Sequence, residues 1–291
     1  MNSKSQDSAR TDTTLRSSLR NTWEAAAPGW AKWEQAFSAG LSAVTDTLID
    51  MAGIKPGMRV LDLACGAGSQ TLQVAERIGP DGRVVASDIS TTMLEYVRQN
   101  AAKVGLQNVE TLECAADELD EKQLPFDAAI SRLGLMLFPS PQRALESIQR
   151  VLRPGAHFAA LVFTTPPNNP FMAQTMAILL RHAGKSPPGL GQPGIFALGG
   201  DKILKNLMQG SGLLNVNTKT VKASLSLATA SDALEMMQEA FGAYRAVVLD
   251  LGDAQKSKAW GEVYECVKQF EASDGFKTEF EFIIGTGSKA L

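Results

Sequence analysis

A chain of 291 residues, 44% hydrophobic and 20% charged, carries enough apolar material for one large domain or one domain with a sizeable insertion. Its net charge of −3 is spread along the sequence with no Lys/Arg stripe, which argues against nucleic acid as the principal partner, because phosphate binding needs clustered cations. Three cysteines (Cys65, Cys114, Cys266) without a CxxC pair argue against a disulfide framework or a zinc site, and no apolar run reaches the roughly 18 residues of a membrane span.

Residues 1–18 are polar and of mixed charge, and predict a disordered tail without the apolar run of a signal peptide; a cytoplasmic address is the expectation. From Leu19 to Gly53 the spacing turns helical, with Trp23, Ala27, Trp30, Trp33 and Phe37 at three- and four-residue steps. The segment 19–55 therefore reads as helices that pack an aromatic face on the domain, or as a lid whose aromatics wall a ligand cleft. MRVLDLA (58–64) is an apolar run between Pro56-Gly57 and Gly66, as in a buried strand, and SQTLQVAERIG (69–79) is a helix stopped by Gly79-Pro80. GRVVASDI (82–89) is strand-like, and TTMLEYVRQNAAKVG (91–105) is a helix closing at Gly105. VETLECA (109–115), FDAAISRLGL (126–135) and HFAALVF (157–163) continue the strands, with the helix PQRALESIQRVL (141–152) before the last of them. Strands alternating with helices predict a doubly wound α/β fold, with a mostly parallel seven-stranded sheet and a core over 56–165.

After Phe163 the rhythm breaks. Turn-rich stretches at 164–171 and 184–194 flank a helix at 171–183, so 166–200 reads as an inserted lid. In 201–291 the pattern gives a helix (201–212), a strand (213–227), and two helices in 231–250 and 254–272 that form a cap over 230–272. An alternating strand (276–287) is expected to pair antiparallel at the sheet edge.

The chemistry concentrates at the first strand–helix junction, LDLACGAGSQT (61–71). Gly66 and Gly68 let the backbone approach a ligand with no Cβ in the way. Asp62, four residues before Gly66, would repel a pyrophosphate but attract an ammonium group. Thr71 stands where a dinucleotide fingerprint places its third glycine, so GxGxxG is incomplete. Asp88 ends the second strand, where a carboxylate accepts hydrogen bonds from both hydroxyls of a ribose, or caps the next helix.

Residues 56–165 resemble the nucleotide-binding core of the class I S-adenosylmethionine-dependent methyltransferases, of the ubiquinone/menaquinone-methyltransferase-like type. PGMRVLDLACGAGSQT, VVASDISTTML, LPFDAAISRLGLMLFPSPQRAL and LRPGAHFAALVF carry the likeness in that order, and FALGGDKILKNLMQGSGLLNV (196–216) extends it more weakly. The resemblance implies S-adenosylmethionine as cofactor and transfer of its methyl group to a small-molecule acceptor. It places Asp62, Ala64, Gly66 and Gly68 around the methionyl moiety, with Cys65 a small packing residue in the same loop. Asp88 falls at the ribose, Ile89 and Met93 at the adenine, and Ser131, Arg132 and Leu133 at the cofactor's edge. Where the family commonly has an Asp-Ala pair after the third strand, this chain has Ala115-Ala116-Asp117. Asp117 thus either substitutes in the adenine contact beside Ala116 or faces solvent.

General bases are scarce. His157 opens the fifth strand at the end opposite the ligand and reads as structural; His182, in the insertion, is the candidate base or acceptor contact. Trp30, Met136, Phe196, Phe241 and Tyr244 are candidate acceptor-pocket residues, and no metal site is expected. The competing readings are an NAD(P)-dependent oxidoreductase, against which Thr71 and Asp62 count, and an S-adenosylmethionine-binding protein that transfers no methyl group. The sequence leaves open whether O, N or C is methylated, and the oligomeric state.

Overall fold

The apolar runs form strands Arg59–Leu63 (β1), Arg83–Asp88 (β2), Val109–Glu113 (β3), Phe126–Arg132 (β4) and Leu152–Phe163 (β5), all paired in parallel. The computed structural model describes residues 3–120, 125–189, 192–200 and 202–291, with side chains from Arg16 onward. Helices Ser69–Ile78 (α2), Thr91–Lys103 (α3) and Pro141–Val151 (α4) supply crossovers. Val60, Leu61, Val84, Ala128 and Ile130 are fully buried, as strands covered on both faces require. With Leu214–Leu227 (β6) and Gly275–Ser288 (β8), the sheet order is β3-β2-β1-β4-β5-β8-β6, and the two-residue β7 (Glu271–Ala272) pairs only with β8. The order reverses between β1 and β4, so a ligand crevice opens beyond the tips of those strands.

Residues 276–287 do form an antiparallel strand, but not at the edge. β8 lies between β5 and β6, with Ile283 opposite Val162 on one side and Thr220 on the other. Phe276, Phe282 and Ile284 on β8 are buried, whereas β6 exposes Asn217, Lys219 and Lys222 and so bears the polar row expected of an edge.

The N-terminal segment differs more. From Ser3 to Met51 the chain is one helix, α1, where a tail over 1–18 followed by separate lid helices was expected. Its polar first part is anchored by charge: Arg16 pairs with Asp117 and Glu118, and Arg20 with Glu113, all at the β3 side of the sheet. Further along, Gly29 and Gly40 lie so close to the backbones of Glu239 and Ser224 that a Cβ at either would overlap a carbonyl. The middle of α1 is therefore packed as part of the domain.

The remaining helices are Pro170–His182 (α5), Ile203–Gly210 (α6), Ala230–Ala240 (α7), Gly242–Val248 (α8) and Asp253–Val267 (α9). Three helices thus replace the two expected over 231–272. The break falls at Phe241-Gly242, where a Cβ on Gly242 would come within 3.2 Å of the Trp23 ring. Residues 1–2 of the expected tail, 121–124 of the expected core, 190–191 of the expected insertion and 201 of the helix expected over 201–212 lie outside the described residues.

Candidate active site

β1 delivers the chain into a loop of left-handed residues: Ala64 (φ 55°), Gly66 (φ 56°) and Gly68 (φ 99°). The two glycines serve different ends. A Cβ on Gly66 would meet nothing within 4 Å, and its backbone lines the crevice; one on Gly68 would come within 3.0 Å of Val97, so Gly68 permits α2 and α3 to approach. Leu133, just past β4, also has positive φ (62°), so two non-glycine residues at adjacent strand tips hold conformations costing roughly 1–2 kcal/mol each. Both line the crevice.

Asp62 does not reach that surface. Fully buried, it accepts hydrogen bonds from Thr71 Oγ1 (2.5 Å) and Gln70 Nε2 (3.3 Å), and it fastens the first turn of α2 to β1. Burial pushes its carboxyl up to about 6, against those hydrogen bonds. Thr71 therefore has a defined task where a dinucleotide fingerprint would have glycine. Asp88 accepts from Gly66 N–H (3.0 Å) through Oδ2 and from Ser90 N–H (2.9 Å) through Oδ1, and it lines the crevice. Each oxygen keeps a lone pair for a ligand. Burial raises its carboxyl to about 6 as well, opposed by those amides.

The crevice, about 1330 Å³ of open space, brings together Ala64, Cys65, Gly66, Asp88, Ile89 and Met93 from the expected set, with Ala116, Asp117, Arg132, Leu133 and Trp30. Asp117 faces it while held by Arg16 (2.7 Å) and Arg143 (3.2 Å), so it is neither free nor turned to bulk solvent. Ser131 is buried behind the surface, and its hydroxyl has no partner among the described residues. Burial pushes the thiols of Cys65 and Cys114 up, Cys114 to about 11, which leaves neither a nucleophile.

Arg132 is held rigidly, donating from Nη1 to Thr45 Oγ1 (3.1 Å) and from Nη2 to Ser69 Oγ. Its charge faces Glu34 on α1, a crevice-lining residue that sequence reasoning missed. Glu34 Oε1 is buried without a partner among the described residues, as is Trp30 Nε1 one turn earlier.

A second cavity of about 720 Å³ adjoins the first and shares Trp23, Trp30, Leu133 and Leu137 with it. Met136, Phe241 and Tyr244, candidates for an acceptor pocket, line it together with Phe163 from β5 and Phe280 and Phe282 from β8. Phe196 lines neither cavity and packs edge-on against Phe163, with ring centroids 6.1 Å apart. The Tyr244 hydroxyl is spent on Met172 O (2.7 Å), and burial raises its pKa. His182 is not brought to the site: its Nε2 lies 2.8 Å from Glu262 Oε2, between α5 and α9, and it borders neither cavity.

Residues 54–181 match the family model described as "Methyltransferase domain". This segment, somewhat under half of the chain, is similar to a methyltransferase domain. The ubiquinone/menaquinone biosynthesis C-methyltransferase UbiE of Ectopseudomonas mendocina (strain ymp) is 36% identical over 127 residues, covering 43% of this chain and 49% of the relative. The matched segment thus spans about half the length of such curated relatives. Among solved structures, the [4+2]-cyclase SpnF superposes with a TM-score of 0.55 at 20% identity, over 86% of this chain and 80% of that one. Phosphoethanolamine N-methyltransferase 2 of Haemonchus contortus, in complex with S-adenosyl-L-methionine, gives 0.52 at 16% identity, over 86% of this chain and 53% of that one. These likenesses show the fold of residues 54–181 and of the strands that complete the sheet. Among the described residues no helix is long and apolar enough to cross a membrane, and no group of three or more His, Cys, Asp or Glu could hold a metal ion.

Proposed function

We propose that the chain transfers a methyl group from S-adenosylmethionine to a small, largely apolar acceptor. One observation carries this reading: a crevice with a carboxylate and an open glycine at adjoining strand tips runs, past two shared tryptophans, into an almost wholly apolar chamber. The residues present fit the cofactor. Asp88 would take the ribose hydroxyls, the Ala64–Gly66 backbone the methionyl end, and Ile89 and Met93 the adenine, with Ala116 and Asp117 at its rim. Bound there, S-adenosylmethionine supplies a methyl group already activated on a sulfonium.

The chain's own task is then placement. Leu133, Leu137 and the indoles of Trp23 and Trp30 wall the passage where acceptor and methyl carbon meet. Holding reactants in line there is worth on the order of 7–11 kcal/mol. Apolar walls exclude water, which favours a reaction in which charge disperses. The dispersed charge of the chain and the apolar chamber support a small molecule, rather than nucleic acid, as partner.

Calorimetric titration with S-adenosylmethionine, with NADH in parallel, tests the cofactor. Incubation with methyl-labelled donor and a cell extract, followed by mass spectrometry, tests transfer. Donor binding in the micromolar range and a labelled apolar product of low mass are expected. Binding of NADH alone, or donor retention with no labelled product, overturns the reading.

A further inference from the structure

Helix α1 lays one stripe along both cavities: Trp23 and Trp30 border both, and Phe37 and Leu41 border the second. Glu34 stands on that same stripe, four residues after Trp30 and three before Phe37, so its carboxylate belongs to the wall near which the two cavities meet. A charge on an otherwise apolar stripe is costly to bury, and such a break in pattern calls for a compensating role. The protein compensates it only in part. Burial raises the proton affinity of Glu34, while Arg132 from β4 and the Ser69 hydroxyl and amide from α2 favour its charged form; the Cys65 thiol is the other titratable group that feels it. Oε1 is left without a hydrogen-bond donor among the described residues.

We propose that Glu34 is the general base of the reaction, taking through Oε1 the proton of an O–H, N–H or activated C–H at the acceptor atom that is methylated. The acceptors are therefore apolar molecules with one dissociable proton at the reacting position. This rests on the methyl-transfer reading above. The bond from acceptor atom to methyl carbon forms as the methyl–sulfur bond breaks with its electron pair going to sulfur, and the acceptor's proton ends on Glu34. Arg132, held by Thr45 and Ser69, is a positioning residue whose charge favours the ionised form of Glu34. Trp30 Nε1–H, the neighbouring buried donor without a partner among the described residues, would take an oxygen adjacent to the reacting atom. The other acid–base candidates face elsewhere: the Tyr244 hydroxyl is bonded to Met172 O, and His182 to Glu262.

The test compares the full chain with Glu34→Gln and Glu34→Asp, using methyl-labelled S-adenosylmethionine and cell extract as probes. Label transfer is followed from pH 5 to 9, and donor affinity by calorimetry. Glu34→Gln is expected to bind donor within about threefold of the parent yet transfer label roughly 10²–10⁴-fold more slowly at saturating donor, where the acid limb of the rate profile is gone. Glu34→Asp keeps the charge, and partial transfer with an acid limb intact shows that the loss in the glutamine variant is not misfolding. Parental rates in Glu34→Gln overturn the proposal. So does a loss of donor affinity above tenfold with an unchanged rate at saturation, which would make Glu34 a ligand of the donor's ammonium group. Absence of label transfer by the parent chain overturns the methyl-transfer reading itself, and so is distinct from failure of the base alone.

Discussion

Replacing Asp88 by alanine is expected to weaken S-adenosylmethionine binding by roughly 10²–10⁴-fold, as two charge-assisted hydrogen bonds to a ribose would require at about 1.5–3 kcal/mol each. The structure adds a reason for a large effect. The same carboxylate holds Gly66 N–H and Ser90 N–H, so its removal also releases the loop that approaches the methionyl end. A pH dependence accompanies it. With its carboxyl raised to about 6 by burial, Asp88 protonates as the solution is acidified through that value, and donor affinity should fall there. The fold responds in the opposite sense. A carboxyl whose folded pKa exceeds its unfolded 3.8 favours the folded chain below about pH 4, and that contribution is lost as pH rises through about 6. Calorimetry between pH 5 and 8 on both proteins decides the matter; equal affinities for parent and Asp88→Ala would remove the ribose assignment.

Gly29→Ala should be the most damaging small substitution on α1. Its added methyl would overlap the backbone at Glu239 and Ala240, which cannot yield as a side chain would. Overpacking of this kind costs about 1–3 kcal/mol, and in a chain of this size each kcal/mol lowers Tm by roughly 2–4 °C. The displaced helix also carries Trp30 and Glu34 out of the crevice wall, so donor affinity should drop with stability. Gly261→Ala is the control: on α9 its Cβ would meet nothing within 4 Å, and alanine should raise stability by about 0.5–1 kcal/mol. Thermal melts in which the two variants behave alike would refute the close-packing account of α1.

The contrast between what could be read from residues and what could not has physical causes. β1 to β5 are continuous apolar runs separated by helix-period segments with glycine stops, and both signals are local, so strands, crossovers and the Gly66 and Asp88 positions were legible. β8 was legible as a strand but not in its place, because alternation records that one face is buried, not which neighbours pair with it. The polarity of residues 1–18 concealed a helix whose described anchors, Arg16 and Arg20, find acidic partners about a hundred residues away in sequence. Glu34 passed unnoticed for a similar reason. Between Trp33 and Gln35 it looks like the solvent side of an amphipathic helix, and only the second wall, Arg132 and Ser69 at the tips of β4 and α2, shows that it faces inward. Asp62 on β1 and Gly68 in the loop after it were expected around the methionyl moiety, yet they serve the framework of the loop rather than its surface. His182 was chosen for its chemistry and its segment, neither of which records the turn of α5 that aims it at Glu262.

The placement of the tryptophans has a practical consequence. Two of the four indoles, Trp23 and Trp30, border both cavities, whereas Trp33 is tied through Nε1 to Glu239 and Trp260 lies on α9, away from either. Filling either chamber must change the polarity around Trp23 and Trp30, so the intrinsic emission of the protein should report occupancy without any added dye. A Trp30→Phe chain that still gave the full spectral change on adding donor would assign the signal to Trp23, and no change in the parent at saturating donor would show that neither ring meets the ligand.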